Sequence, residues 1–287
     1  MKKFLKILLW SILTLFIIIF ALGYGFIYKV KNGFPVSYET EHPNIPFPTD
    51  KKAVLVFSKT TGFRHSASIE ASKGVFEKLA KKNNYFLYQT EEGGVFNSEQ
   101  LSKFAVVIFN NSTGRVLNDE QQKALEQYVE NGGSLIGIHG AGDNSHHWDW
   151  YVKNLLGSEF SHHAISAELQ KTDVLLDNSI DSLISKDLPK TFIHSDEWYV
   201  FSENPRKHGF NIVYAINDDT INPSGNLSFL ITDKNFGMGK DHSVAWYKFV
   251  GQGKTFYTSM GHDKNSWENK NFVKMLENAL QWSIKPN

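Results

Sequence analysis

The stretch Ser134-Leu-Ile-Gly-Ile138, followed by His139-Gly-Ala-Gly-Asp143, decides the fold of this 287-residue chain. The short apolar run predicts a buried strand, and the small residues after it predict a sharp turn that presents one side chain at the edge of a sheet. That side chain belongs to His139. Because the sequence contains no cysteine, thiolate chemistry is excluded, and any reaction at this turn must use an imidazole.

The residues before this turn alternate between strands and helices. Apolar runs predict strands at residues 53–57, 85–88 and 105–109, and helical spacing predicts a helix at residues 68–82. A further helix begins at the capping sequence Asn118-Asp-Glu-Gln121. Such repetition implies right-handed crossovers, a doubly wound and mostly parallel sheet, and ligands bound beyond the carboxyl ends of the strands.

The second half of the chain has a different pattern of polar and apolar residues from the first half. Alternating polar and apolar residues predict antiparallel or mixed strands added to the sheet. These segments are residues 167–176, 191–201, 211–216, 227–232, 243–250 and 254–258. An amphipathic helix is predicted at residues 272–284. The predicted fold class is therefore α/β, with a flavodoxin-like, mostly parallel sheet extended by antiparallel strands.

The chain begins with a basic and then apolar segment that is typical of a membrane anchor. Lysines stand at positions 2, 3 and 6, and residues 7–28 are almost entirely apolar, about the 20 residues that cross a bilayer. This run exceeds the usual signal-peptide core of about 7–15 residues, so an uncleaved transmembrane helix is favoured over a cleaved signal. The lysines are expected to stay in the cytoplasm, which places the rest of the chain in the periplasm or at the cell exterior.

Proline content divides the rest of the chain. Residues 31–50 hold four of the eight prolines and are predicted to be an extended tether between the anchor or signal segment, residues 1–30, and one folded domain, residues 51–287. Acidic and basic residues are equal in number, 30 each, and no basic run follows the N-terminus, so nucleic acid is not expected as a partner. A small neutral ligand is expected instead.

Polar residues that follow strand-like runs are the candidate site residues. His139, Asp143 and Glu197 are candidates for acid-base catalysis, with Asp143 either holding the imidazole of His139 or capping a helix. Arg64 either binds an oxygen of a ligand or pairs with Glu91. Flat rings with a polar tip suit the apolar face and hydroxyl rim of a sugar. The candidate substrate-binding residues are Arg64, His65, Glu91, Trp148, His163, Asp196, Trp198, Tyr199, His262 and Trp267.

Histidine spacing gives no clear metal motif. The pairs at residues 146–147 and 162–163 lack the spacing of known metal-binding sequences, so no metal ligand is assigned from them and the cofactor stays unknown.

Several short motifs, taken together in their order and spacing, resemble a known family. They are Gly62-Phe-Arg-His65, Thr90-Glu91, Gly137-Ile-His139 with Asp143, Phe160 with His163, Asp196-Glu-Trp-Tyr199, Val244-Ala-Trp246, Phe256-Tyr-Thr258, Gly261-His262 and Trp267. This set resembles the trehalose-utilisation (ThuA-like) family, of the class I glutamine amidotransferase-like fold. The resemblance implies disaccharide or keto-sugar metabolism, with a sugar dehydrogenase as a partner that supplies the ketone. In amidotransferases of this fold a cysteine takes the place of His139, so amidotransferase activity is not expected.

Three functions are compatible with these residues. The first is an enzyme that uses a histidine and a carboxylate for acid-base chemistry on a keto-sugar, as an isomerase, lyase or hydrolase. The second is a metal-dependent hydrolase with His65, His139 and His163 as ligands. The third is a non-catalytic sugar-binding module. Polar groups retained at several strand ends favour the two enzymes.

Overall fold

A nine-stranded sheet organises the protein, in a computed structural model that describes residues 2–32, 37–144, 146–177 and 183–285. The strands are β1 (Ala53–Phe57), β2 (Phe86–Thr90), β3 (Phe104–Asn110), β4 (Ser134–Ile138), β5 (Phe160–His162), β6 (Gln170–Leu176), β7 (Thr191–Asp196), β8 (Val200–Phe201), β9 (Asn211–Ile216), β10 (His242–Val250) and β11 (Gly253–Thr258). The helices are α1 (Lys2–Asn32), α2 (Ser66–Asn83), α3 (Ser98–Leu101), α4 (Asp119–Glu130), α5 (Asp149–Tyr151) and α6 (Lys270–Ile284). Short 3₁₀ turns lie at Gly93–Val95, His139–Asn144, Pro205–His208, Asp218–Thr220, Gly239–Asp241 and Ser266–Glu268, and a π-helical turn lies at Val152–Leu156.

The sheet is parallel in one half and antiparallel in the other. Its order is β2-β1-β3-β4-β11-β10-β9-β6-β7. The pairs from β2 through β11 are parallel, and those from β11 through β7 are antiparallel. β5 and β8 form a separate antiparallel pair. The predicted α/β fold with added antiparallel strands is therefore confirmed.

Both faces of the parallel half are covered, because alternate residues of a strand point to opposite sides. On β1, Leu55 and Phe57 pack toward the side covered by α3 and α4, whereas Val54 and Val56 pack toward α2 and α6. This double coverage explains why the strands are continuous apolar runs in the sequence. Helix α4 begins with the predicted capping box, in which Asn118 and Gln121 exchange side-chain to backbone hydrogen bonds.

Two predicted strands differ from the structure. The predicted strand at residues 227–232 is instead a turn with one bridge between Leu227 and Ile231, and Phe229 at its tip is 85 % exposed. In the part of the chain that the structure describes, no strand of the sheet pairs with this segment, so its alternating polar and apolar residues form no strand. The predicted strand at residues 191–201 is broken after Asp196, where the chain leaves the large sheet and then pairs with β5.

Helix α1 has the properties of a membrane span. Residues Lys3–Lys29 form a helix long and apolar enough to cross a membrane, with no buried residue, a property that a signal sequence near an N-terminus shares. The structure therefore supports either an anchor or a signal in this segment.

The segment predicted to be a free tether packs on the domain where it is described. Ile45 is 8 % exposed, and the ring of Phe47 lies 5.0 Å from that of Phe104. Glu39 forms an ion pair with Lys59 at 2.5 Å, and its carbonyl accepts a hydrogen bond from Gln121 at 2.7 Å. Apolar residues between the prolines provide this contact, so the packed region begins before residue 51. Residues 33–36 of the predicted tether lie outside the described residues.

Candidate functional site

The turn after β4 holds His139 at the carboxyl end of the sheet. His139 has a φ of +46°, in the left-handed region that residues other than glycine rarely adopt. The hydroxyl of Tyr257 donates to the carbonyl of His139 at 2.9 Å. The next residue must be small, because a Cβ at Gly140 would lie 3.0 Å from Nδ1 of His65. The turn predicted from the sequence is thus present, and it buries His139 completely.

The imidazole of His139 contacts a carbonyl, a carboxylate and a second imidazole. Nδ1 donates to the carbonyl of Ser259 at 2.6 Å. On the other side of the ring, Nε2 lies 3.3 Å from Oε2 of Glu197 and 3.2 Å from Nδ1 of His262. Because the Ser259 carbonyl accepts from Nδ1, Nε2 is the ring nitrogen that faces both Glu197 and His262.

Glu197 is the centre of the cluster. Its Oε2 lies 3.1 Å from Nδ1 of His262, and its Oε1 accepts a hydrogen bond from Nδ1 of His163 at 2.9 Å. Burial alone would raise the pKa of this carboxyl, but the hydrogen bonds with His139, His163 and His262 outweigh burial and hold the pKa well below its usual range. Glu197 is therefore a carboxylate at every physiological pH.

The neighbouring histidines respond to this negative charge. Burial disfavours the charged forms of His163 and His262, yet the carboxylate of Glu197 raises the pKa of both. The side chain of His163 is 36 % exposed and that of His262 is 13 % exposed. These two imidazoles thus form the accessible side of the cluster and are the ones that a ligand reaches first.

His65 closes the buried side of the cluster. Its ring centre lies 4.6 Å from that of His139 and 5.0 Å from that of His262. Burial and the two neighbouring imidazoles lower the pKa of His65 to about 2, so this ring is neutral. Its Nδ1 is buried and has no hydrogen-bond partner among the described residues. His65, His139, Glu197 and His262 each place one potential ligand atom within 4.8 Å of the other three.

Asp196 holds the backbone on both sides of this cluster. Its Oδ1 accepts from the backbone N–H groups of Glu197 at 2.9 Å and His262 at 3.0 Å. Its Oδ2 accepts from Gly261 N–H, the Ser266 hydroxyl and Nε2 of His194 at 2.7, 3.0 and 2.8 Å. Burial opposes its charge, but the hydrogen bond from His194 and the other donors lower the pKa of Asp196. The carboxylate is fully buried and its oxygens accept from donors of the protein itself, so it holds the backbone of Glu197 and His262, and its contact with a substrate stays a prediction.

Asp143 neither contacts His139 nor caps a helix, the two roles expected for it from the sequence. The carboxylate that contacts His139 is Glu197, from beyond β7, and Asp143 lies late in the short turn His139–Asn144, where it caps no helix. Its Oδ1 is 4.0 Å from Nε2 of His146. Burial raises the pKa of Asp143 to about 7, while His163 acts in the opposite direction. The phenols of Tyr199 and Tyr257 are the other ionisable groups that sense its charge.

An aromatic wall stands beside the histidines. The ring centre of Tyr199 lies 4.3 Å from that of His139 and 4.4 Å from that of Phe160. Phe160 and Tyr199 both stack approximately parallel to the half-exposed ring of His163. Of the aromatic residues proposed from the sequence to contact a sugar, Tyr199 is the one that the structure brings to the cluster.

The three candidate tryptophans lie in the core. Trp148, Trp198 and Trp267 are 6 %, 2 % and 4 % exposed. Their indole N–H groups donate to Glu126, to the carbonyl of Gln170 and to Ser68, respectively. Each ring is packed and each N–H is satisfied within the protein, so these three side chains belong to the core, and their contact with a substrate stays a prediction.

Arg64 and Glu91 pair with each other. Two hydrogen bonds of 3.0 and 2.6 Å join the guanidinium to the carboxylate, and both side chains are partly exposed. Of the two alternatives left open for Arg64, the structure therefore shows the structural pairing.

Three supporting residues were not found from the sequence. Ser259 contributes only its carbonyl, and Glu168, whose Oε1 lies 3.4 Å from Nε2 of His262, is distant in the chain, so neither has a local signal. His194 does have a local signal in the sequence, because it alternates with Phe192 and Asp196 on the inward face of β7.

Comparisons with known proteins agree with this architecture. Two solved ThuA-like proteins share the fold. One, from Bacteroides uniformis ATCC 8492, is 24 % identical with a TM-score of 0.67, over 88 % of this chain and 95 % of that one. The other, from Parabacteroides merdae ATCC 43184, is 15 % identical with a TM-score of 0.61, over 82 % and 91 %. No curated protein matches the chain.

The family comparison covers nearly the whole folded domain and includes every residue of the histidine cluster. The model of the ThuA family, described as trehalose utilisation, matches residues 53–283. With the parallel sheet and the turn that carries His139, this match shows that the chain belongs to the ThuA family.

Proposed function

We propose that this domain acts on an oxidised sugar, a disaccharide or related keto-sugar, by transferring a proton beside the ketone. The observation that carries the proposal is the group of His139, His163, Glu197 and His262 in mutual contact beyond the carboxyl ends of the strands. In this type of sheet that edge is where ligands bind. The family description, trehalose utilisation, supports a carbohydrate as the substrate class.

The chemistry requires a base for the C–H bond and positive charge near the ketone oxygen. A ketone makes the neighbouring C–H bond acidic, and the resulting enolate must be stabilised as it forms. His163 and His262, whose pKa values Glu197 raises, can place a proton or positive charge at the oxygen. Asp143, whose charge interacts with His163 and whose pKa burial raises to about 7, is the base that we propose for proton abstraction at neutral pH.

The aromatic wall provides a surface for the sugar ring. Phe160 is partly exposed and lies next to the half-exposed His163, with the buried Tyr199 packed against both, so an apolar sugar face against Phe160 would bring its substituents to the imidazole. The ketone must be made by an oxidation, so we also propose that a sugar dehydrogenase supplies the substrate. The apolar helix α1 supports a membrane-anchored location, with the domain outside the cytoplasm.

The experiment measures proton exchange instead of a product, because exchange reports the proposed step directly. The full chain in detergent is incubated in D₂O with trehalose or with trehalose oxidised to a ketone, and deuterium beside the carbonyl is followed by NMR. Exchange is expected with the ketone and not with trehalose. Asp143→Asn should slow exchange by at least about 10²-fold, the usual contribution of a general base. Asp173→Asn, an exposed residue of β6, is the control and should leave the rate unchanged.

Two outcomes would contradict the proposal. Binding of keto-sugars without any exchange would indicate a sugar-binding module. Cleavage of the glycosidic bond without exchange would indicate a metal-dependent hydrolase, the second candidate, which the four potential ligands at His65, His139, Glu197 and His262 favour.

A further inference from the structure

We infer that His65, His139, Glu197 and His262 form a binding site for one divalent transition-metal ion, with Zn²⁺ as its probe. This ligand set differs from the one considered from the sequence, because His163 lies outside it and Glu197 and His262 lie within it. How such an ion would act on a ketone rests on the proposed function, whereas its binding does not.

The potential ligand atoms have the spacing that a metal ion requires. Nε2 of His139, Nδ1 of His262 and Oε2 of Glu197 form a triangle with sides of 3.2, 3.1 and 3.3 Å. Nitrogen and oxygen ligands at about 2.0–2.1 Å from a tetrahedral Zn²⁺ lie about 3.3–3.4 Å from one another. The three atoms already have the spacing of one face of such a tetrahedron. A nitrogen of His65, within 4.8 Å of the others, is the fourth ligand.

The triangle also requires a positive centre. Nδ1 of His139 donates to Ser259, so Nε2 is the nitrogen that faces Oε2 of Glu197, at 3.3 Å in a buried place. A buried nitrogen and a carboxylate oxygen at this distance need a proton or a cation between them. A metal ion at the middle of the triangle provides that charge to all three atoms at once.

Three of the four residues use their second polar atom in a contact of the kind that metal ligands make. The second nitrogen of His139 donates to the Ser259 carbonyl at 2.6 Å. The second nitrogen of His262 lies 3.4 Å from the carboxylate of Glu168. The second oxygen of Glu197 accepts from His163 at 2.9 Å. Carbonyl and carboxylate partners on the remote nitrogen orient ligating histidines, and ligating carboxylates are themselves hydrogen-bonded.

The identity of the ligands selects the class of metal. Three imidazoles and one carboxylate suit zinc and its first-row neighbours, whereas Mg²⁺ and Ca²⁺ prefer oxygen ligands. The accessible side of the cluster, at His163 and His262, is the side from which a ketone oxygen would approach the ion. There the oxygen would join the four protein ligands as a fifth ligand, and the cation would withdraw electron density from the carbonyl, which supplies the positive charge that the proposed reaction requires.

The test measures metal without any sugar. The full chain, purified in detergent without a histidine tag, is stripped with a chelator, loaded with Zn²⁺ and passed through a desalting column. Mass spectrometry of the metal should then find about one Zn²⁺ per chain. Loading with Co²⁺ should give the visible absorption of a tetrahedral site. Glu197→Gln, which keeps the size of the side chain, and His262→Ala, at a partly exposed position, should each weaken Zn²⁺ binding by more than about 100-fold, beyond the effect of outer-partner changes.

A matched control removes an imidazole elsewhere. His208→Ala deletes a half-exposed histidine that pairs with Glu203, and it should keep the full Zn²⁺ stoichiometry. Two results would overturn the inference: no stoichiometric Zn²⁺ in the wild-type chain, or equal Zn²⁺ binding by folded Glu197→Gln and His208→Ala. The positive centre between His139, His262 and Glu197 would then be a proton. If the protein catalyses proton exchange but binds no Zn²⁺, the metal site is wrong and the proposed reaction stands. If it binds Zn²⁺ but catalyses no exchange, the proposed reaction is wrong and the metal site stands.

Discussion

Replacement of Asp196 by asparagine tests whether one buried carboxylate positions the site. The substitution keeps the shape of the side chain but exchanges an acceptor oxygen for a donor NH₂ group. At Oδ1 the new group would face the backbone N–H groups of Glu197 and His262, which have no freedom to turn away. At Oδ2 it would face Gly261 N–H, Ser266 and His194.

The orientation with the NH₂ group at the position of Oδ2 costs less stability than the other one. The hydroxyl of Ser266 can rotate to accept, but the N–H of Gly261 loses its acceptor, and His194 can accept only by giving up the hydrogen bond that its Nδ1 accepts from Asn269. An unsatisfied buried N–H costs about 1–3 kcal/mol, the lost bond to Asn269 about 1 kcal/mol, and the two bonds to Oδ1 each lose about 1 kcal/mol when their acceptor becomes neutral. The sum is about 4–6 kcal/mol. For a domain of this size, that loss lowers the thermal midpoint by about 10 °C.

The assay is thermal unfolding of the full chain in detergent at pH 7, followed by circular dichroism, with the exposed Asp173→Asn as control. The control should stay within about 0.5 kcal/mol of the wild type. Since the folded-state pKa of Asp196 is lowered, its contribution to stability is present above the ordinary carboxyl pKa of about 3.9 and is lost as pH falls below it. The difference between Asp196→Asn and wild type should therefore narrow in acid. Equal midpoints at pH 7 would refute the positioning role.

Four further outcomes are expected. Ile45→Ala should destabilise the domain by about 2–5 kcal/mol in thermal unfolding, because Ile45 is buried; an unchanged midpoint would mean that its segment is a free tether. Burial raises the pKa of Asp143 to about 7, so its contribution to stability is lost as pH rises from about 4 past 7; Asp143→Asn should raise the thermal midpoint at pH 8 and not at pH 4. The full chain should sediment with membranes and resist carbonate extraction, unless α1 is a cleaved signal that leaves a shorter soluble chain. Ammonia release from glutamine should stay at background, since His139 cannot form a thioester, and release above background would contradict this.

Local patterns predict the parallel half of the sheet well. β1 and β4 are buried on both faces, so their apolar runs alone identify them, and the Asn118 capping box marks the start of α4. The turn at His139 is also local, because a strand, small residues and a short helix follow one another directly. Residues 227–232 show the opposite case, since alternation identifies a strand only when a neighbouring strand pairs with it.

The site is less predictable, because long-range contacts assemble it. Sequence reasoning paired His139 with Asp143, four residues away, whereas the carboxylate in contact with His139 is Glu197, from the far end of the sheet. The break in the chain after β7 aims Glu197 inward, and that break has no apolar or glycine signal. The tryptophans were assigned to a sugar by residue type alone, and only the packing shows that their rings are enclosed.

The packing of residues 38–48 also sets how far the domain stands from a bilayer that contains α1. Glu39, already fixed to Lys59, is seven residues after the end of α1 at Asn32, so the connection spans at most about 25 Å. If the segment were free up to Ala53, the reach would be about 70 Å. The contacts of Glu39 with Lys59 and Gln121 therefore shorten the connection nearly threefold. If α1 is an anchor and the proposed function holds, a domain held this close would meet its substrate in the layer next to the lipid surface, and loosening the segment would change the volume that it samples without altering a residue of the histidine cluster.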